Sequence, residues 1–262
     1  GDPLMNRDFS SVTELAGDEV TQEQVERLAH RYFWAGAYCD GRDVLEVACG
    51  SGQGLGHLAA RARRLWAGDL TSRLVRDAHR HYGERVALLE LDAQCLPFPD
   101  ASLDVVILFE AIYYLPSAVV FAEESRRVLR PGGQVLIASP NPDLWDFNPS
   151  PHSVSYYGVA ELDRLFGEAG FTCRFFGYLP VDAVSLRQRA LRPIKKAAAA
   201  LGLIPKTMAG KKWLKRLVFG GLVPMPAEIA QETTIYMPPV PLATGLPDRR
   251  FKVIYVAATK NI

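Results

Sequence analysis

Residues 44–56, which read VLEVACGSGQGLG, decide the fold of this chain. The first five of them are mostly apolar and predict a buried β-strand. Glycines then recur at every second position from Gly50 to Gly56, where they let the chain turn sharply and let a ligand approach the backbone closely. The stretch therefore predicts a strand, a ligand-binding loop and the start of a helix, rather than an ordinary turn.

Apolar and amphipathic runs alternate along the rest of the chain. The apolar runs predicted to be strands lie at 44–48, 65–68, 86–90, 104–109, 134–139, 172–179 and 251–257. The amphipathic runs predicted to be helices lie at 20–38, 54–63, 72–82, 117–129 and 159–169. Thr21, Ser72 and Ser117 are predicted to cap three of these helices. The alternation indicates an α/β fold with a doubly wound, Rossmann-like parallel sheet covered on both faces.

Carboxylates follow the first strands at the edge where the glycine loop is predicted. Asp69 ends the second strand, 19 residues after Gly50, and a carboxylate there can accept hydrogen bonds from a ribose diol. Asp92 ends the third strand, where its carboxylate and the neighbouring backbone can contact the edge of an amino-substituted ring. Glu46 lies inside the first strand, where a charge is costly unless it has a partner. Together with the glycines, these acids indicate a nucleoside-containing ligand.

Five motifs in this order resemble those of class I S-adenosylmethionine-dependent methyltransferases of the small-molecule, type 11-like kind. They are VLEVACGSGQG at 44–54, AGDLT at 67–71, DAQCLPF at 92–98, FEAIYYLP at 109–116 and EESRRVLRPGG at 123–133. The resemblance covers about residues 26–180. One departure is Ala48, which stands where many members of the family carry a glycine.

The resemblance implies S-adenosylmethionine as cofactor and S-adenosylhomocysteine as product. It places the methionine part of the cofactor at the glycine loop and at the end of the fourth strand. It places the ribose at Asp69, and the adenine at Leu70, Asp92 and Ala93. The cofactor residues that it implies are Tyr32, Glu46, Ala48, Cys49, Gly50, Gly52, Asp69, Leu70, Asp92, Ala93, Phe109, Glu110 and Tyr114, with Arg31 as an alternative to Tyr32.

The family also implies a seven-stranded sheet whose last strand is antiparallel. On that basis residues 1–181 are expected to form the cofactor-binding core and residues 247–262 its last strand. Residues 182–246 are expected to form an inserted, mostly helical basic cap. A nicotinamide dinucleotide is the remote alternative, since the glycines at 54 and 56 with Ala59 match a GxGxxA string. That string begins several residues beyond the strand, however, whereas a dinucleotide fingerprint begins immediately after it.

Candidates for contact with the methyl acceptor follow the fourth and fifth strands. His152, Tyr113 and Tyr157 are the predicted catalytic residues, and Asp146 and Tyr156 are further candidates for the acceptor pocket. A histidine can take a proton near neutral pH, which suits methylation of a hydroxyl or an amine. The cysteines form no CxxC pair and lie near no metal-type histidine, so no metal is expected.

The formal net charge of +1 conceals an uneven distribution. Residues 183–227 carry ten arginines and lysines and no acidic residue, so the rest of the chain is acidic overall. This basic segment suits a lid, an anionic ligand or a peripheral contact with an anionic membrane surface. Nucleic acid is not an expected partner, because no recognisable nucleic-acid module is present.

The sequence thus predicts a cytoplasmic enzyme, with membrane-peripheral attachment as a further expectation. No run of 18 apolar residues is present, so no transmembrane helix is expected. The predicted reaction is methyl transfer to an O or N atom of a small molecule, such as a saccharide or a lipid-linked acceptor. The alternative is a protein of the same fold that binds the cofactor without catalysing transfer.

Overall fold

The computed structural model describes residues 8–181 and 221–262. The strands in these ranges are β1 (Glu19–Thr21), β2 (Asp43–Val47), β3 (Arg64–Asp69), β4 (Ala87–Glu90), β5 (Leu103–Phe109), β6 (Leu129–Pro140), β7 (Phe171–Pro180), β8 (Leu222–Pro224), β9 (Val240–Leu242) and β10 (Phe251–Lys260). The α-helices are α1 (Gln22–Cys39), α2 (Leu55–Ala59), α3 (Ser72–Tyr82), α4 (Ala118–Val128) and α5 (Val159–Glu168).

One large sheet has the strand order β4-β3-β2-β5-β6-β10-β7-β9. The first five strands in that order are parallel, and β10 is antiparallel to both of its neighbours. The predicted doubly wound sheet with an antiparallel last strand is therefore confirmed. β9 adds an eighth strand at the edge beside β7, beyond the seven expected. Pro241 lies in β9, and an edge strand tolerates its missing N–H.

Strand β5 shows why the sheet is covered on both faces. Val105 and Ile107 pack with α1 and Tyr255 in one apolar cluster. Val106 and Leu108 point the other way, into the cluster that contains α4 and α5. Because successive side chains of a strand alternate between faces, an unbroken apolar run needs helices on both sides. The buried strands thus meet the solvent at their ends, where the predicted loop lies.

The length of one helix and the cap of another differ clearly from the prediction, while the bounds of the other helices agree within two residues. α2 has only five residues, instead of covering 54–63. The residue that precedes α3 is Thr71 rather than Ser72, so the prediction that Ser72 caps this helix is wrong. The Thr71 hydroxyl accepts a hydrogen bond from the Phe9 backbone N–H instead. The other two predicted caps are confirmed, because the side chains of Thr21 and Ser117 accept hydrogen bonds from the first turns of α1 and α4.

The chain from 221 onward returns to the core. β8 pairs with β1, and the backbone of Met225 forms hydrogen bonds with Gly17 and Asp18. Most of the predicted basic cap, at 182–220, lies outside the described residues, so its helical character stays a prediction. Within 8–181 and 221–262, none of the helices combines the length and apolar character needed to cross a membrane.

A buried carboxylate fixes the start of β2. The side chain of Asp43 is 1% exposed and accepts hydrogen bonds from the guanidinium groups of Arg63, Arg64 and Arg130. Hydrogen bonds from Arg63, partly opposed by burial, hold the pKa of this carboxyl below its ordinary value. The starts of β3 and β6 are thereby tied to the central strand β2.

We predict that Asp43→Asn lowers the free energy of unfolding by about 2 kcal/mol at pH 7, because a buried hydrogen-bonded charge is lost. The difference should shrink in acid, since the wild-type protein loses this stabilisation as the pH falls through the lowered pKa of Asp43. Urea denaturation at pH 7 and pH 3.5 measures both effects. The matched control is Asp40→Asn, because Asp40 is 60% exposed and pairs only with Arg61 among the described residues. Equal small effects of the two substitutions would contradict the prediction.

Candidate active site

The loop after β2 is a left-handed turn. Ala48, Gly50 and Gly52 have φ angles of 55°, 60° and 84°. Such angles cost glycine little, whereas an alanine there is disfavoured by roughly 1 kcal/mol. The Ala48 departure therefore keeps the backbone shape of a glycine at a modest cost in stability. The Cβ atom of Ala48 and the backbone of Gly50 border the space described next.

Two hydrogen bonds hold the turn against β3. The Cys49 N–H donates to the Gly68 carbonyl at 2.9 Å, and the Gly50 N–H donates to Asp69 Oδ2 at 3.0 Å. On the far side, the Tyr82 hydroxyl donates to the Gly52 carbonyl. These hydrogen bonds fix the position of the glycine loop relative to Asp69 at the end of β3.

Two adjoining cavities lie at this edge of the sheet. The apolar cavity is lined by Phe9, Val47, Ala48, Asp69, Leu70, Leu91, Asp92, Ala93, Gln94, Ala111, Tyr114, Leu115 and Pro116. The polar cavity has a volume of about 400 Å³ and includes residues of α1, the glycine loop and the segment after β5. Ala48, Asp69, Ala111 and Tyr114 border both, so the two cavities lie side by side, and together they are called the cleft below.

The predicted cofactor residues divide between these cavities. Leu70, Asp92 and Ala93 line the apolar one, and Tyr32, Cys49, Gly50, Phe109 and Glu110 line the polar one. Glu46 and Gly52 line neither. A Cβ atom on Gly52 would meet Leu55, Tyr82 and Ala78, so this glycine faces α2 and α3 rather than the cleft.

An N-terminal segment at 8–17, which sequence reasoning missed, covers part of the cleft. The Phe9 ring lies 5.4 Å from the Tyr114 ring, and the Gln53 side chain donates to the Glu14 carbonyl at 2.7 Å. A Cβ on Gly50 would lie 3.1 Å from the Thr13 side chain. No motif marks this segment, because its contacts depend on how an irregular chain folds back over the loop.

Helix α1 contributes two arginines to the polar cavity. Arg27 Nη2 lies 3.3 Å from Glu110 Oε1, and the Tyr113 hydroxyl donates to Glu110 Oε2 at 3.3 Å. The Nε atom of Arg31 is buried and has no hydrogen-bond partner. Only Arg31 was considered from the sequence. Its spacing of four residues from Arg27 could have indicated the pair, because residues i and i+4 share one helix face.

Glu46 is buried beneath the cleft. One of its carboxyl oxygens accepts a hydrogen bond from the Tyr32 hydroxyl, and Oε2 has no partner. Burial raises the pKa of Glu46 to about 8, although the hydrogen bond from Tyr32 opposes that rise. The Tyr32 ring packs edge-on against Phe109. Glu46 thus holds Tyr32 in place without lining the cleft itself, and Tyr32 and Phe109 form an aromatic wall of the polar cavity.

The predicted catalytic residues occupy different environments. Tyr113 lines the polar cavity and stacks on Tyr156, with ring centroids 4.4 Å apart. His152 lies in an exposed loop at a φ of 67°, and Tyr157 packs against the core. Neither of them, nor Asp146, lines either cavity. The structure brings only Tyr113 and Tyr156 together with the cofactor residues.

The glycines of the alternative dinucleotide string face protein rather than open space. A Cβ on Gly54 would meet the Tyr32 ring, and one on Gly56 would meet the Glu228 carboxylate. These two residues therefore cannot cradle a pyrophosphate in this arrangement. The observation removes the basis of the nicotinamide alternative.

The sheet order and the cleft at its carboxyl edge define a Rossmann-like methyltransferase fold. Residues 45–137 match a family model described as a methyltransferase domain. Residues 45–137 thus match a methyltransferase domain, and the fold and the order of the motifs are similar to those of class I S-adenosylmethionine-dependent methyltransferases. This confirms the resemblance of the motifs and S-adenosylmethionine as the cofactor of the family.

Curated relatives agree with this family. A probable S-adenosylmethionine-dependent methyltransferase of Mycolicibacterium smegmatis is 39% identical over 152 residues, which is 56% of this chain and 55% of the relative. A fatty-acid O-methyltransferase of the same organism is 41% identical over 140 residues, 52% of this chain and 46% of the relative. The chain thus spans about half the length of the curated relatives it matches.

Among solved structures, the fold is similar to that of a methyltransferase in complex with the Haloferax volcanii Trm112 methyltransferase activator. The TM-score is 0.56 at 19% identity, and the match covers 92% of this chain and 94% of the other. At that identity the similarity extends to the fold alone.

The raised pKa of Glu46 predicts a pH-dependent effect of Glu46→Gln. Between its ordinary value of 4.5 and about 8, the folded protein retains a proton that the unfolded chain releases, so wild-type stability falls as the pH rises. The glutamine side chain keeps a hydrogen-bond acceptor for the Tyr32 hydroxyl. Because it does not titrate, the variant does not lose stability through position 46 as the pH rises. The stability of the variant relative to wild type should therefore increase with pH, by at most about 1.4 kcal/mol per pH unit.

Urea denaturation at pH 5.5, 6.5 and 7.5 measures this trend. The control is Glu90→Gln, since Glu90 is exposed at the end of β4. A Glu46→Gln difference that stays constant over this range would show that Glu46 is ionised in the folded protein, contrary to the prediction.

Proposed function

We propose that this chain transfers the methyl group of S-adenosylmethionine to an oxygen atom of a small, lipid-type acceptor. The observation that carries the proposal is the pair of adjoining cavities at the carboxyl edge of β2, β3 and β5. Asp69 borders the apolar cavity, and Arg27, Arg31 and Glu110 border the polar cavity. An apolar pocket beside a carboxylate suits a nucleoside. A polar pocket that contains arginines suits the amino acid joined to that nucleoside.

The apolar cavity would hold the adenosine. Asp69 uses its oxygens for the N–H groups of Gly50 and Thr71, and a carboxylate has further lone pairs for the two ribose hydroxyls. Leu70 and Ala93 would contact the two sides of the adenine, and Asp92 would lie at its amino edge. The predicted cofactor role of these residues is thus supported by their common position.

The polar cavity would hold the methionine part. The buried Nε of Arg31 lacks a partner, which is costly for a polar group and fits a site for the cofactor carboxylate. Glu110 and Tyr113 would lie beside the reacting sulfur. The bound cofactor supplies a methyl group on a positively charged sulfur, and the chain's own task is to align the acceptor in line with that bond and exclude water.

The walls around Glu110 favour an acceptor with an apolar body. Leu28, Pro140, Tyr113 and Tyr156 line the same cavity as Glu110. One relative is named for fatty-acid O-methylation, which supports a lipid-type acceptor over a saccharide. Contact of the basic segment at 183–227 with an anionic ligand or a membrane surface stays a prediction, as does a cytoplasmic location.

We predict that Asp69→Asn weakens binding of S-adenosylhomocysteine at least about tenfold, because the variant loses the charge that would strengthen hydrogen bonds from the ribose diol. Isothermal titration calorimetry measures the affinity. Asp77→Asn is the matched control: Asp77 pairs with Arg80 on α3 and lines neither cavity. Undetectable binding of the product by the wild-type protein would overturn the cofactor assignment.

Methyl transfer itself needs a separate measurement. Incubation with S-adenosylmethionine labelled in its methyl group and a panel of lipid-type acceptors should yield a labelled product. Tight binding of the cofactor without any transfer across the panel would instead favour the binding protein without catalysis.

A further inference from the structure

Two arginines line the polar cavity, whereas the cofactor has only one carboxylate that could bind to them. Arg27 and Arg31 are one helical turn apart on α1, and both line the polar cavity. If Arg31 binds the cofactor, as the proposed function holds, Arg27 remains available for a second anion. The position of Arg27 beside Glu110 and Tyr113 places that anion at the acceptor end.

The contacts of Arg27 leave most of its donors free. Among the described residues it makes one side-chain hydrogen bond, from Nη2 to Glu110 at 3.3 Å. Charge-assisted hydrogen bonds between such groups are usually about 2.7–2.9 Å long, so this contact is loose. A guanidinium carries five N–H donors and matches a carboxylate with two parallel hydrogen bonds. An anionic group can therefore bind Arg27 without first breaking a strong ion pair.

The polar cavity offers little help for removing a proton from a neutral acceptor. Its described lining includes neither histidine nor lysine. Burial raises the pKa of Tyr113 well above its ordinary value and raises that of Tyr156 as well, so both phenols stay protonated near neutral pH. Burial likewise raises the pKa of the Cys49 thiol. Of the carboxylates that line this cavity, Glu110 accepts a hydrogen bond from the Tyr113 hydroxyl and a long one from Arg27, and Glu14 accepts one from the Gln24 side chain.

We propose that the acceptor is the carboxylate of an apolar organic acid and that Arg27 holds it. This inference rests on the proposed function and names its substrate class. A carboxylate is ionised at neutral pH, so it needs no base. One of its oxygens forms the new bond to the methyl carbon, while the sulfur–methyl bond breaks and leaves its electron pair on sulfur. The products are a methyl ester and a neutral thioether.

The electrostatics of the cleft favour this reaction. The positive sulfur and the negative carboxylate lose their charges together as the methyl group moves. In a cavity shielded from water, a transition state with reduced charges is stabilised relative to separated ions. The apolar wall formed by Leu28, Pro140 and Tyr156 can contact the body of the acid while Arg27 holds its head group.

Titration of the protein saturated with S-adenosylhomocysteine tests the inference. Octanoate and octan-1-ol serve as a pair of probes that differ only in the head group. The wild-type protein should bind octanoate at least tenfold more tightly than the alcohol. Arg27→Gln should abolish this preference, and Arg27→Lys should restore part of it, because it keeps the charge without the planar fork. A variant that only misfolds would lose affinity for both probes, so misfolding would not remove the preference for octanoate alone.

Arg73→Gln is the matched control, since Arg73 is 62% exposed on α3 and lines neither cavity. It should keep the wild-type preference. In parallel, labelled S-adenosylmethionine should give methyl octanoate and no methyl ether of octanol.

Three outcomes would overturn the inference: no binding of octanoate, equal binding of the two probes, or a preference that survives in Arg27→Gln. A loss of S-adenosylhomocysteine affinity in Arg27→Gln would also overturn it, because Arg27 would then belong to the cofactor site. Failure of the wild-type protein to bind S-adenosylhomocysteine is a different result, which contradicts the proposed function itself.

Discussion

The left-handed turn after β2 is the constraint on which the cleft depends. Its three residues of positive φ reverse the chain within a few positions, so the backbone of Gly50 meets the carboxylate of Asp69 directly. That hydrogen bond joins the ends of two neighbouring parallel strands. Without it, the loop and the acid would not border the same space. The alanine at position 48 shows that the turn is kept even where it costs backbone strain.

A second strained position lies across the cleft. Glu110, directly after β5, has a φ of 52°, and its N–H donates to the Ala138 carbonyl of β6. Backbone strain in a non-glycine residue persists only where the surrounding structure enforces it. Here the strain turns the Glu110 side chain to Arg27 and Tyr113. Both strained residues, Ala48 and Glu110, thus line the polar cavity.

The sequence predicted the sheet and many of the residues that line the cleft because these depend on local pattern. Nearly unbroken apolar runs such as β5 are typical of central strands, and Asp69 is recognised by its place at a strand end. The acceptor side was harder to predict. His152 was attractive for its chemistry, yet nothing in its sequence neighbourhood reveals that its loop lies in solvent. Arg27 and Phe9 enter the cleft through the packing of α1 and of an irregular segment, which no strand or helix pattern describes. Gly52 looked like a ligand contact, but its role is to make room for Tyr82 and Leu55.

A crystal structure with S-adenosylhomocysteine bound tests the assignment of the cleft most directly. We predict adenine in the apolar cavity between Leu70 and Ala93, both ribose hydroxyls on Asp69, and the amino-acid carboxylate on Arg31. The sulfur should then face Glu110 and Tyr113. An adenosine bound outside the apolar cavity, or a sulfur that points away from Glu110, would contradict the assignment of the cleft.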